Sequence, residues 1–407
     1  MIELIIIFSI MLIAFVVFKV GDIFSPWTIT TGVWLAILLM FTQYGDMLYP
    51  LEEKFYYCVS LWVPIMSVSA ILTYYSLPEK TITQQEMAQP IAVNHKFFML
   101  FLIISITLTP LYLYQIYKVV SMFSTENLLT NLRILTLGEN DDIGTGILKY
   151  VRAVNQTLFI MAVWRYPDIK KWQLYCIIIA NILCAIAIME KGSIFFMLIV
   201  TVFVLYQKGK IKISKIIIIG VVLLFVFYGF NLLRSAKADP TENNSFLDFF
   251  SLYVLSPSVA FGQVQEKLTE QFGSRTFAFF YAILSKLGIG NYVHEPMLQE
   301  FVMVPIATNV YTIFQPFYED FGYKGIAFFA TVYGVFTGWL YRLCRNGGAI
   351  SKCFYAYVAE VLMLQFFQES LILSISLLLQ YTIVFSLTLQ RFVGFARHNE
   401  SGGNGDG

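Results

Sequence analysis

The sequence predicts an all-α polytopic membrane protein with about eleven transmembrane helices and a large outer loop containing short interfacial helices. Three observations predict it: the composition, a series of apolar runs of membrane length, and basic residues that gather on alternate connections.

The 407 residues are 58% hydrophobic and 17% aromatic but only 13% charged. Mean hydropathy is +0.69. Soluble domains carry about 25% charged residues, so a soluble fold would lack the polar surface to cover itself. A net charge of +1 gives no footprint for nucleic acid. Cys58, Cys176, Cys184, Cys344 and Cys353 lie within or at the ends of apolar runs. Their spacing gives neither a disulfide framework nor a metal motif. The segment Met1 to Val20 has no basic leader and no small-residue cleavage site, and reads as a retained first helix.

A span needs about 20 mostly apolar residues. Such runs fall at 2–19, 27–44, 55–77, 97–122, 147–165, 172–189, 192–207, 211–233, 324–344, 350–369 and 370–391. The sixth and seventh are separated only around Glu190, Lys191 and Gly192, the last two only by Gln368, Glu369 and Ser370. The basic connections are Arg165/Lys170/Lys171, Lys208/Lys210/Lys212/Lys215, Arg342/Arg345/Lys352 and Arg391/Arg397. With these spans all fall on one side, which positive charge marks as cytoplasmic. The N-terminus is then outside and the C-terminus inside. The chain divides into spans one to eight (1–233, with an outer loop at 123–146), a large outer loop (234–323), spans nine to eleven (324–391) and a cytoplasmic tail (392–407). In the large loop, 246–262 and 276–290 are apolar but short, interrupted by Asp248 and Pro257 and by Lys286. They read as helices at the interface or dipping into the membrane. The tail is Gly-rich and polar, and reads as disordered.

Charges near membrane depth are costly and point to function. On the outer side stand Arg133, Lys149, Arg152, Lys191, Arg234, Arg275, His294, Glu319 and Asp320. Lys149 and Arg152 share a helix face, and Asn155 and Gln156 continue it inward. Each also has a plain reading. Lys149 and Arg152 can snorkel to headgroups. Lys191 can be hairpin charge, and Arg133 can position its own loop. Arg234 suits a helix C-terminus, Glu319 and Asp320 can be solvated, and a lone histidine is commonly structural. The collection argues for chemistry: several cations, few carboxylates and many aromatics, among them Phe249, Tyr253, Tyr281, Tyr292, Tyr311, Phe317 and Tyr318. Arginine matches phosphate oxygens bidentately, and aromatic rings suit the C–H faces of sugars. A phosphate ester of a sugar carried on a lipid fits this surface. No nucleotide-binding motif is present in the sequence.

Arg133 is followed after ten residues by Gly144, and the run 308–325 reads Thr308-Asn-Val-Tyr-Thr…Phe317-Tyr-Glu-Asp-Phe-Gly-Tyr-Lys-Gly. With the two long outer loops, these features resemble the bacterial oligosaccharide repeat unit polymerases, the O-antigen polymerases of the Wzy type. The resemblance implies a metal-independent, cofactor-free glycosyltransferase resembling the GT-C-like class, in the bacterial inner membrane with its active site facing the periplasm. It implies a glycan donor and an acceptor repeat unit, both on undecaprenyl pyrophosphate, contact with membrane lipid, and a chain-length regulator as partner. Arg133, Arg152, Lys191, Arg234 and Arg275 would hold pyrophosphate. Asn309, Tyr311 and Tyr318 would contact glycan. His294, Glu295, Glu319 or Asp320 would take the acceptor proton, with His294 and Glu295 ranked ahead because they adjoin each other in the loop of Arg275. Rival readings are an O-antigen ligase with a lipid A–core acceptor, a lipid-linked oligosaccharide flippase, and a non-catalytic scaffold. A transporter would show repeated halves, which the sequence lacks.

Overall fold

A computed structural model describes residues 1–80, 82–121, 146–188, 191–212, 214–215, 218, 246–267, 271–290, 292, 299–305 and 307–389. Among them are thirteen α-helices: α1 Ile2–Val17, α2 Pro26–Tyr44, α3 Glu53–Ser76, α4 Gln84–Ala88, α5 His95–Val120, α6 Val151–Arg165, α7 Lys171–Ala187, α8 Lys191–Gln207, α9 Phe246–Phe261, α10 Ala278–Lys286, α11 Gln315–Arg345, α12 Ala349–Met363 and α13 Ile375–Leu389. Among the described residues, four stretches are long and apolar enough to cross a membrane: Pro26–Met47, Glu53–Ser76, His95–Val120 and Gln315–Arg345. Shorter apolar helices include Ile2–Val17, Lys171–Ala187 and Ile375–Leu389. Each span read from the sequence therefore contains a helix where its residues are described, except that most of the eighth, 211–233, lies outside them. Helices dominate because lipid offers no partner for backbone N–H and C=O groups. The stripe Ile2, Ile6, Ile10, Ile13 and Val17 of α1 is exposed, and follows one helix face. It would be a liability in water but suits contact with lipid.

At the centre α11 lies along α3. A Cβ on Gly334 would lie 2.5 Å from the Met66 carbonyl oxygen, and one on Gly338 2.4 Å from that of Ala70. Small residues one turn apart thus let the two backbones touch, the arrangement that dispersion favours where no hydrophobic effect acts between helices. Towards the start of α11, Trp34 stacks on Phe314 with centroids 4.7 Å apart, and Trp62 stacks on Phe317.

The basic connections converge at one end of the bundle. Arg342 donates to the carbonyls of Leu77 and Pro78. Lys208 donates to those of Val163, Trp164 and Tyr166. Lys352 reaches the Met87 carbonyl, and Arg345 the Gln207 side chain. Three of the four basic clusters thus share one end, as the charge pattern predicts; Arg391 and Arg397 lie outside the described residues.

Two details differ from the sequence reading. Helix α11 begins at Gln315, not 324, but Gly322 interrupts it with φ 60° and ψ −149°, a conformation open essentially to glycine. The straight part therefore starts close to the predicted position. The last two spans are separated by a non-helical stretch, 364–374, in which Gln365, Glu369 and Leu371 are buried, rather than a single joint. Its polar groups are satisfied internally, as membrane depth demands. The Glu369 carboxylate accepts from the N–H groups of Leu371, Ile372 and Leu373 and from the Tyr333 hydroxyl. Gln365 accepts both the Trp34 and Trp62 indoles. Helix α9 is packed into the bundle: Val254, Leu255, Val259, Ala260 and Phe261 are buried and the helix packs on α2. Its apolar run is continuous enough to enter the core despite Pro257. Helix α10 has no buried residue, in keeping with an interfacial position.

Candidate functional site

At the end opposite the basic cluster, the chain leaving α9 and the chain entering α11 form one polar network. The short hairpin of β1 (Val302–Met303) and β2 (Ala307–Thr308) leads into it. Residues 312 and 313 then pair with the non-helical stretch: the Thr312 N–H donates to the Phe367 carbonyl and that of Ile313 to Gln365. This seam fixes the entry to α11, so Gln315, Glu319 and Asp320 emerge from a rigid base.

Glu319 is the hub. Its Oε2 accepts from Arg275 Nε at 3.3 Å, and its Oε1 pairs with Lys267 Nζ at 2.6 Å. Gln315, one helical turn earlier, donates to the same Oε2 at 3.4 Å. Gln299 Oε1 accepts from Arg275 Nη2 and Gln315 Nε2, each at 2.7 Å. The side chains of Arg275 and Glu319 are only 8% and 5% exposed, whereas that of Lys267 is 45% exposed. A buried charge pair survives only if its remaining donors and acceptors are filled, and the two glutamines do that here. The backbone helps as well, with the Lys267 N–H donating to the Glu319 carbonyl at 2.7 Å.

Asp320 has a different task. It accepts from the N–H groups of Arg275 and Thr276 at 3.3 and 2.6 Å, and the Ser274 hydroxyl lies at 3.5 Å. Thr276 Oγ1 donates to the Pro316 carbonyl. Asp320 therefore closes the turn at Gly273, where φ is +61°, and that turn delivers Arg275 to Glu319.

The structure thus brings together three of the site residues expected from the sequence: Arg275, Glu319 and Asp320. Tyr318 lies next to them, its ring edge-on to Phe261. Tyr311 is buried and donates to the Glu300 carbonyl, and Asn309 is half-buried just after β2. Arg152 stands in the first turn of α6, a turn before Asn155, whose amide donates to Thr109 and Cys184. It belongs to the rim of a smaller cluster formed by α5, α6 and α7, apart from the Glu319 hub. Lys191 opens α8, and its side chain is not described. Arg133, Arg234, His294 and Glu295 lie outside the described residues. Sequence reasoning missed Lys267, Gln299 and Gln315. The i, i+4 spacing of Gln315 and Glu319 was the one local signal for any of them.

Chemically, the arrangement holds one carboxylate between a sequestered guanidinium and an accessible ammonium. An incoming anion can compete with Glu319 for Lys267, while Arg275 stays fixed.

No protein-family model matches the chain, and no solved structure matches it. Among curated proteins it is 26% identical over 274 residues to one named "Putative O-antigen polymerase" from Escherichia coli (strain K12), covering 65% of this chain and 67% of that one. The chain is thus similar to a protein named as a putative O-antigen polymerase, in line with the resemblance that its sequence carries.

Proposed function

We propose that this protein is a glycosyltransferase of the large GT-C-like membrane class. In this reading it joins oligosaccharide repeat units carried on undecaprenyl pyrophosphate into O-antigen or a similar surface polysaccharide, at the periplasmic face of a bacterial inner membrane. The relationship to an O-antigen polymerase supports the class. The observation that carries the site is the Lys267–Glu319–Arg275 cluster.

In the reaction an acceptor sugar hydroxyl attacks the anomeric carbon of the donor glycan. The bond from that carbon to the pyrophosphate oxygen breaks, and undecaprenyl pyrophosphate leaves with the electron pair. The leaving group needs preorganised positive charge. Lys267, 45% exposed beside Glu319 Oε1, moves from Glu319 to the pyrophosphate. Glu319 Oε1, released from its partner, then takes the hydroxyl proton. Arg275 remains on Oε2 and keeps the carboxylate aimed. Asp320 is a positioning residue, because its oxygens are committed to the 274–276 turn. Arg133, Arg152, Lys191 and Arg234 stay proposed for further pyrophosphate contact, and His294 and Glu295 as alternative proton acceptors. Asn309, Tyr311 and Tyr318 are proposed to meet glycan, and a chain-length regulator is the proposed partner.

Deleting the gene in its host and resolving the surface glycan on a gel tests the reading. A core carrying one repeat unit without a ladder supports a polymerase. Bare core with repeat units accumulating on the lipid carrier contradicts it, in favour of a ligase or a flippase; the membrane side of accumulation separates those two.

A further inference from the structure

Consecutive residues at this end of the molecule project to opposite sides. Lys267 and Glu319 meet in the ionic cluster, whereas their neighbours Glu266 and Tyr318 meet on another surface, together with the start of α3. There Tyr318 and Tyr323 stand edge to face with centroids 5.3 Å apart, and Tyr57 stands edge to face with Tyr323 at 5.9 Å. The Gly322 kink makes this possible by swinging Tyr323 back towards Tyr318. The Glu266 carboxylate lies flush against Gly322, so close that a Cβ there would be 2.6 Å from Oε1. Lys54, held by the Val264 carbonyl at 2.6 Å, is 5.8 Å from the Tyr318 ring centroid and 3.6 Å from Glu52. Tyr57 is 58% and Tyr323 38% exposed.

We infer that Tyr57, Tyr323 and Glu266, backed by Lys54, form a carbohydrate-binding ledge that takes a sugar ring of the glycan beside the ionic cluster. The inference rests on the reading that the substrate is a glycan, and adds where it docks. A sugar has an apolar C–H face and a rim of hydroxyls. Two exposed tyrosine rings supply flat apolar contact. The exposed Glu266 carboxylate accepts hydrogen bonds from sugar hydroxyls and so orients the ring. Tyrosines also anchor proteins at membrane interfaces. An anchor has no use for a carboxylate pressed against a glycine, since lipid phosphates repel it.

The test is binding of the dephosphorylated, lipid-free repeat-unit oligosaccharide, released from the host's own surface glycan by mild acid. Full-length protein in nanodiscs is titrated calorimetrically. The Y57A/Y323A double variant is expected to bind roughly tenfold more weakly or worse. E266Q should weaken binding to a smaller extent, and Y57F/Y323F should bind like wild type. Unfolding temperatures identify any variant that has lost its fold. Y75A is the control, since Tyr75 is an exposed tyrosine at the basic end. Wild-type affinity in Y57A/Y323A, an equal loss in Y75A, or no binding by wild type would each overturn the ledge. Binding that depends on the ledge in a protein whose deletion leaves the polymer ladder intact would retain the ledge and reject the polymerase reading.

Discussion

Arg342, Lys208 and Lys352 at the basic end and Arg275 and Lys267 at the opposite end are all cations of helical or near-helical segments, yet they touch different things. The first three anchor on backbone carbonyls at helix ends and connections, and the one carboxylate among their partners, Glu79 at 3.5 Å from Arg342, is largely exposed. A carbonyl cannot be displaced by a substrate without opening the fold, so these cations are fasteners. Burial, reinforced by Lys210 and Lys352, pushes the Lys208 ammonium down to about 8, and it is tolerated because three carbonyls surround it. Arg275 and Lys267 instead share a carboxylate. A carboxylate partner can be exchanged for a phosphate, because both are anions. The rise of about 1.5 Å per residue over 323–345 puts the two ends roughly 30 Å apart. One end holds the bundle together, and the other carries the proposed site.

Arg275 is where the contrast is sharpest. Arg275→Ala leaves Glu319 buried with a single cation, and truncating one partner of a buried pair costs about 3–5 kcal/mol. The expected outcome is a large fall in unfolding temperature together with loss of polymer. A paired Arg275→Met/Glu319→Leu replacement should recover much of the thermal stability but no chain extension. Recovery of the ladder in that double variant would end the catalytic role of the pair.

Lys208→Ala tests the fastener end. Losing the ammonium strands carbonyls of the α6 terminus and its connection, at a cost of about 1–3 kcal/mol. The unfolding temperature should drop while the glycan ladder of the surviving protein keeps its normal spacing and length. Gly322→Ala lies between the two behaviours. It forces a side chain into φ 60° and against Glu266, a strain of about 1–3 kcal/mol. Stability should fall moderately, and oligosaccharide binding should weaken because Tyr323 is displaced. Lys267→Ala should show the smallest stability effect, about 0–1 kcal/mol for a half-exposed pair, with a clear loss of chain extension.

The sequence made the frame legible because membrane length and charge asymmetry act locally, residue by residue. It placed α2, α3 and α5 within a few residues, and it placed the basic connections together. It did not show the 364–374 break, since Gln365, Gln368, Glu369 and Ser370 look like an ordinary joint between spans. Their partners, Trp34, Trp62, Tyr333 and the 312–313 backbone, come from distant segments. The site was half legible for the same reason. Arg275, Glu319 and Asp320 stand out singly as charges near apolar runs, but nothing local says that Asp320 caps the turn carrying Arg275. Lys267 sits beside Glu266 in an unremarkable polar stretch, and only tertiary structure sends the two residues to opposite surfaces.

The most direct measurement compares Lys267→Ala with Lys208→Ala in a host deleted for the gene, at matched membrane levels of protein, by the ladder of surface glycan. The account predicts a ladder shortened to one or very few repeats for Lys267→Ala and a normal ladder for Lys208→Ala. A normal ladder from Lys267→Ala would contradict it.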